Sequence, residues 1–247
     1  MSFEKAKRIA QILQDNGFKA VFAGGAVRDM VLGVEPHDFD VATSARPEDV
    51  KRIFINSSFV GESFGVSLVE GIEVASFRID KSQVDGRKPN SIEFASMEED
   101  SKRRDLTINA LFWDPISEEF FDFVGGMKDI EEKIIRFVGD PIKRIEEDNL
   151  RIMRAIRFAH KLNFTLSKST TLAIVNNAEK VKSLSGDRIL EELKKGIVLD
   201  KPSKFISLLF SLGILRHILP EITDLSGCEQ HIKWHPEGAT AQKIICD

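Results

Sequence analysis

Residues 22–43 read FAGGAVRDMVLGVEPHDFDVAT, with a glycine pair near one end and two aspartates, Asp38 and Asp40, near the other. On a strand, residues i and i+2 share a face, which would set the two carboxylates about 7 Å apart at the backbone and closer at their tips. Such charges repel unless a cation sits between them. Hard divalent cations suit that place, and Mg²⁺ commonly takes one or two carboxylates together with substrate phosphates. An isolated D-x-D reads more readily as an exposed strand edge with solvated acids. Gly24-Gly25 alters that balance. Glycines between a strand and a helix let the backbone approach a ligand, and the helix N-terminus offers its free N–H groups to phosphate. The pattern is neither G-x-G-x-x-G nor a P-loop, since no Gly-Lys-Ser/Thr follows. Strand, glycine turn, short helix and acidic strand together point to a nucleoside triphosphate held by backbone and metal.

Outward from this stretch, the chain divides by character. MSFEKAKRIAQILQDNG (1–17) has Phe3, Ala6, Ile9, Ile12 and Leu13 on one helical stripe, ended by Asn16-Gly17. FKAVFA predicts a buried strand, AVRDMVLG a short helix, HDFDVAT a strand and RPEDVKRIF a helix with Pro47 in its first turn. Strand patterns recur over 58–79 and at IEFA, around a polar loop, DKSQVDGRKPNS (80–91). EEFFDFV predicts the last strand, and GGMKDIEEKIIR leads to a Gly139-Asp140-Pro141 break. Beyond it IKRIEEDNLRIMRAIRFAHKL and the three segments after it keep helical periodicity, so an α/β region of about 138 residues precedes an all-α region.

The 247 residues suffice for a large domain or two small ones, and 42% hydrophobic with 30% charged residues is an ordinary globular composition. No apolar run approaches the roughly 18 residues a membrane span needs, and the charged N-terminus does not read as a secretory signal. Cys228 and Cys246 are the only cysteines, too few for a disulfide framework or zinc site, which leads to the expectation of a cytoplasmic setting. A formal charge of −4 excludes a polybasic nucleic-acid binder as a whole. A polyanion would have to meet a local patch, such as 140–161 with six Lys/Arg against four Asp/Glu.

The glycine pair, a gap of twelve residues and DFDV resemble the signature of the DNA polymerase β-type nucleotidyltransferase superfamily. The longer GGAVRD…DFDVATSARPEDV resembles its class II branch, the tRNA nucleotidyltransferases (CCA-adding enzymes) and bacterial poly(A) polymerases. RRDLTINAL (103–111) is similar to the family's RRDxTxNA motif, EEDNLRIMRAIRFA (146–159) to its EDxxR motif, and SGDRILEEL (185–193) to a later neck-helix motif. The fold this implies is α+β: a polymerase β-like nucleotidyltransferase head with a mixed sheet (1–138), an all-α neck (139–200), and the start of a helical body with an irregular C-terminus (201–247).

The resemblance also assigns roles. Asp38 and Asp40 would hold two Mg²⁺ ions, with Glu73 of IEVASFR as a further candidate ligand or, equally, an exposed strand acid. Gly24, Gly25 and Arg28 would contact the triphosphate, with Asp29 as a structural acid pairing with a nearby arginine. Arg104, Asp105 and Asn109 would bind ribose and triphosphate. On a helix, Asp148 and Arg151 would project from one face. As acceptor and donor they would read the Watson–Crick edge of cytosine or adenine, with Glu147 orienting Arg151. Without the resemblance, Glu147–Arg151 reads as an ordinary i,i+4 ion pair. Arg154, Arg157 and Lys161 are candidates for RNA phosphates or for a solvated helix face; Asp187-Arg188 and Glu192 read as structural.

RIDKSQVDGRKPNSIEF (78–94) is full length for the family's loop, which argues against a CC-only enzyme, although the chain has no tyrosine. VGESFGVSLV (60–69) is closer to the CCA-adding than to the poly(A) type. The implied activity is addition of C and A from CTP and ATP to the 3′ end of tRNA with pyrophosphate release. A poly(A) or A-only enzyme, or a non-catalytic RNA-binding remnant, are the alternatives. KWHPEG (233–238) matches a string that precedes an HD-type module in some relatives. No His-Asp pair follows, so His235 is not a ligand candidate, and the chain reads as a head-and-neck fragment or a naturally shortened version.

Overall fold

The computed structural model describes residues 2–61, 65–81 and 91–224. Residues 82–90 of the polar loop, part of VGESFGVSLV, His235 and both cysteines lie outside them. Two compact units emerge, Met1–Glu132 and Lys133–Asp247.

The first unit opens with α1 (Ser2–Asp15), whose Ala6, Ile9, Ala10 and Leu13 repeat every three to four residues and are all buried. Gly17, with φ +86°, ends it. β1 (Ala20–Ala23) is buried on both faces. α2 (Gly25–Val31), β2 (Asp40–Thr43) and α3 (Pro47–Ile53) follow, then β3 (Ser58–Gly61), β4 (Val66–Val69) and β5 (Ile72–Ser76). β6 (Arg78–Lys81) and β7 (Ser91–Phe94) pair antiparallel, so strand structure reaches into both ends of the stretch expected to be loop. α4 (Met97–Arg103), capped by the Ser96–Glu99 box, leads through a 3-10 turn at Thr107–Asn109 to β8 (Phe112–Trp113), β9 (Phe120–Phe121) and α5 (Gly126–Glu131).

Seven strands form one sheet in the order β3-β4-β5-β2-β1-β8-β9. β2 and β5 run parallel, and the other neighbours antiparallel. Alternation along β1 divides the core. Phe22 meets Phe3, Phe39 and Trp113 at ring centroids of 5.8, 5.1 and 5.7 Å. Val21 and Ala23 join Ala42, Phe77, Met97 and Phe112. Full burial of one such phenylalanine contributes roughly 2 kcal/mol.

The second unit contains α6 (Pro141–Glu147), capped by Asp140, and α7 (Leu150–Leu162), ended by Asn163 in the left-handed region. After these come α8 (Lys168–Asn176), a 3-10 turn at Ala178–Ser183, α9 (Gly186–Ile197), α10 (Pro202–Ser211), α11 (Leu215–Ile218) and α12 (Pro220–Asp224). This region is not wholly helical: β10 (Ile134–Ile135) pairs parallel with β11 (Thr165–Leu166). The helical pattern over 142–162 is also interrupted, because Asp148 adopts an extended backbone (φ −156°, ψ 107°) and its side chain accepts from Leu150 N at 3.0 Å. A short polar side chain that bonds the backbone ahead of it competes with helix continuation. No helix among the described residues is long and apolar enough to cross a membrane.

Candidate active site

Asp40 is the first residue of β2, paired with Ala23 of β1, and Asp38 lies just ahead of the ladder. Phe39 between them turns into the core, 6% exposed, and packs on Phe3 and Phe22, which leaves both aspartates at the surface. The parallel register Val41↔Val74 sets Glu73 beside Asp40. The three acids line one cavity of about 630 Å³, together with Ser2, Lys5 and the Glu70-Gly71 turn.

Asp40 is open to solvent as a residue, yet protein crowds its flanks. That partial desolvation raises its pKa from the ordinary value; the charges of Glu73 and Asp38 push the same way, and Arg104 opposes them. Surface exposure screens all of these effects. Among the described residues no cation lies at ion-pair distance from Asp38, Asp40 or Glu73, and no three His, Cys, Asp or Glu side chains converge as a ready-made metal cage. The donors are all carboxylate oxygens whose mutual repulsion a divalent cation would relieve, so the residues present fit such an ion.

Beside β2, six of the expected residues from two separate segments meet. Gly24 has φ 71° and ψ −126°, a conformation open to glycine, and a Cβ there would stand 3.2 Å from Arg104 Nη1. Arg104 reaches the carbonyl oxygen of Asn109 at 3.3 Å and lies 4.8 Å over the Phe112 ring. Asp100, 1% exposed, accepts from Arg104 Nη2 at 2.9 Å and from Arg103 Nε at 2.8 Å. Burial alone would raise its pKa, but the two guanidinium groups outweigh that and hold it below the ordinary value. Asp100 thus aims Arg104. Sequence reading passed over it, although its i,i+3 and i,i+4 spacing to the two arginines was the available signal.

Arg28 departs from expectation. It is 3% exposed, paired with Asp29 at 2.7 Å, and donates to Asn109 Oδ1 at 2.6 Å. It orients Asn109 from below instead of presenting an open guanidinium. Asp105 Oδ1 accepts from Leu106 N at 2.7 Å and from Asn109 Nδ2 at 3.4 Å, which fixes the same turn. The turn is clamped from behind, where Thr107 donates to the buried Asp129 at 2.6 Å.

In the second unit, Glu147 pairs with Arg144 and accepts from Arg151 at 2.6 Å, a contact that both the orienting role and an ordinary i,i+4 ion pair imply. Arg151 is as buried as Arg157, at 8% exposed, and its Nη1 also donates to the carbonyl oxygen of Arg144 at 3.2 Å. Asp148 does not share a helical face with Arg151, because the chain breaks between α6 and α7. Its two oxygens take Arg188 Nη2, each at 3.0 Å, across forty positions of sequence. Arg188 therefore anchors a candidate base-reading carboxylate, a link no local pattern could reveal. Arg157 is corrected as an RNA contact: it is 9% exposed and bonded to Glu192 at 2.5 Å. Arg154 is half-buried, 5.7 Å over the Phe158 ring, and Lys161 is exposed.

A D-x-D pair opening a strand of a mixed sheet, with a glycine turn and an arginine–asparagine cluster beside it, defines a nucleotidyltransferase head of the polymerase β type. Residues 20–136 match the family described as "Poly A polymerase head domain", and residues 163–225 the one described as "Probable RNA and SrmB- binding site of polymerase A". The chain belongs to the class II tRNA nucleotidyltransferase and poly(A) polymerase family. It is 39% identical to a CCA-adding enzyme of Lactobacillus helveticus, over 95% of this chain and 59% of that one. With a CCA-adding enzyme of Geobacillus stearothermophilus it shares 43% identity, over 78% of this chain and 49% of the relative. The crystal structure of Bacillus stearothermophilus CCA-adding enzyme in complex with CTP superposes with a TM-score of 0.79 at 40% identity, covering 86% of this chain and 53% of that one. The chain thus spans about half to three-fifths of the length of these relatives. Nucleotidyltransferases of this family generally use divalent metal ions.

Proposed function

We propose that this chain carries the nucleotide-adding machinery of an RNA nucleotidyltransferase that transfers CMP and AMP from CTP and ATP to the 3′ end of tRNA. The observation that carries this reading is the meeting of Gly24, Arg104, Asp105 and Asn109 beside the strand that begins at Asp40. In the reaction the RNA 3′-oxygen bonds to the α-phosphorus, the bond to pyrophosphate breaks, and the 3′-hydroxyl proton passes to solvent water. Mg²⁺ held by Asp38 and Asp40, two ions on this reading and Glu73 a further oxygen donor, would supply Lewis-acid stabilisation of the charge that develops. Gly24 and Gly25 let the triphosphate approach the backbone. Arg104, aimed by Asp100, faces its charge, and Asn109, oriented by Arg28, serves the ribose with Asp105.

The head, residues 1–138 on this assignment, performs the displacement. The neck, 139–200, selects the base, and 201–247 begins the body. Asp148 retains acceptor capacity beyond Arg188 and Leu150 N, since a carboxylate offers about four lone-pair sites. It takes the exocyclic amino group of cytosine or adenine while Arg151 donates. Arg154 and Lys161 are the remaining candidates for RNA phosphates. The names of the relatives favour CCA addition over poly(A) synthesis, and a cytoplasmic setting goes with that choice.

Incubation of trimmed tRNA with Mg²⁺ and each labelled NTP separately tests the reading, beside Asp40→Asn. Incorporation of C and A, little of U or G, and a loss of at least about a thousandfold in the variant are expected. Undiminished incorporation by the variant would remove the metal assignment, and long A tails on generic RNA would replace the substrate.

A further inference from the structure

The cavity at Asp38 and Asp40 has a wall to which the reading above assigns no part of the triphosphate. In the sheet, the glycine turn after β1 and the Arg104–Asn109 cluster ahead of β8 flank β2 on one side. On the other side lie β5, with Glu73, and the Glu70-Gly71 turn that joins it to β4. The first turn of α1 completes this far wall through Ser2 and Lys5. Phe3 fixes that turn in place, 5.3 Å from the ring of Phe39 between the two aspartates. Lys5 is exposed and has no ion-pair partner among the described residues. The Ser2 hydroxyl is buried with no hydrogen-bond partner. An unpaired ammonium thus stands in a cavity whose other charged groups are Asp38, Asp40, Glu73 and Glu70, the last already paired with Arg8.

We propose that this wall seats the RNA acceptor end, Lys5 pairing with the phosphodiester of its 3′-terminal nucleotide. The inference rests on the nucleotidyltransferase reading above. In-line displacement sets the attacking and leaving oxygens on opposite sides of the phosphorus. Pyrophosphate departs toward the glycine turn and Arg104, so the 3′-oxygen enters from the β5 and α1 side. An ammonium there is a point charge suited to phosphate, and it offsets carboxylates that would otherwise repel an RNA backbone.

The test reads binding apart from catalysis. A fluorescent stem–loop RNA with a single-stranded 3′-CC end is titrated by anisotropy against the whole chain, Lys5→Met and Lys5→Arg over a range of salt, with CTP binding followed in parallel. Lys5→Met should weaken RNA binding several-fold and reduce the log–log salt slope by about 0.7, the share of one single-strand phosphate contact. CTP affinity should stay unchanged, and Lys5→Arg should keep the slope. A neutral methylphosphonate at the 3′-terminal linkage should reproduce the loss in the wild type and add nothing in Lys5→Met. An unchanged slope, a methylphosphonate effect undiminished in that variant, or loss of CTP binding instead of RNA binding overturns the proposal, as does a wild type that binds no RNA. A wild type that binds RNA through Lys5 but no CTP keeps the Lys5–phosphate contact and removes the nucleotidyltransferase reading, and with it the assignment of that contact to an acceptor end.

Discussion

The acids assigned to metal in the first compact unit and to base reading in the second are treated in opposite ways. In the first, Asp38, Asp40 and Glu73 stand near one another without a cation at ion-pair distance among the described residues, and Asp40 binds its proton more tightly than an ordinary aspartate. In the second, the acids assigned to base reading are already engaged, Glu147 by Arg151 and Arg144, Asp148 by Arg188. Even Arg157 is neutralised from within, by Glu192. A site left with like charges is completed by something that arrives. A site held by its own counterions keeps its shape while ligands come and go.

The strongest way to break this contrast is Arg157→Met. It strips the counterion from Glu192, which is 2% exposed, with Lys195 at 3.9 Å as partial compensation. Denaturant unfolding should show a loss of about 3 kcal/mol. An unchanged midpoint would return Arg157 to the surface cations. Next in size is the Arg188–Asp148 pair, tested by a double-mutant cycle of Arg188→Gln and Asp148→Asn. Both side chains are about a quarter exposed, so the coupling in stability should be at most about 1 kcal/mol. A larger effect is expected on the ratio of C to A incorporation, and a selectivity that ignores both variants would make the pair purely structural.

Acid titration separates the two kinds of carboxylate more finely. Asp100 is held below its ordinary value of 3.8, so its contribution to stability is present above that pH and lost as the pH falls through its folded value. Asp100→Asn should flatten the acid limb of the melting profile below about pH 3.8. For Asp40 the sign reverses. Its raised pKa means that ionisation opposes folding at neutral pH and that this penalty is relieved as the pH falls through the folded value. The smallest effect follows: Asp40→Asn should slightly raise the melting temperature of the metal-free chain at pH 7, and a lower one would show that the carboxylate is structural.

Local chemistry made much of this legible. α1, β1, the glycine turn and β2 follow from periodicity and from glycine's backbone freedom. Arg104, Asp105 and Asn109 were singled out by the resemblance that RRDLTINA carries and not by local chemistry, and the structure sets Arg104 and Asn109 against Gly24. What sequence reading missed is tertiary. EEDNLR fits a helical period, yet Asp148 leaves the helix because Leu150 N and Arg188 offer it partners, one of them forty positions away. The β10–β11 ladder is only two residues deep, too short for any alternation to register. Arg28 and Arg157 carry the same charge as surface arginines, and only burial against Asn109 and Glu192 distinguishes them.

The parallel pairing of β2 with β5 has a consequence for how such a chain tolerates change in length. Asp40 and Glu73 keep their spacing through the register Val41↔Val74, whatever the path of the connection through α3, β3 and β4. Residues can therefore be inserted or removed within that excursion and leave the acidic rim intact. A single deletion inside β5 would instead turn Glu73 to the opposite face and separate it from Asp40.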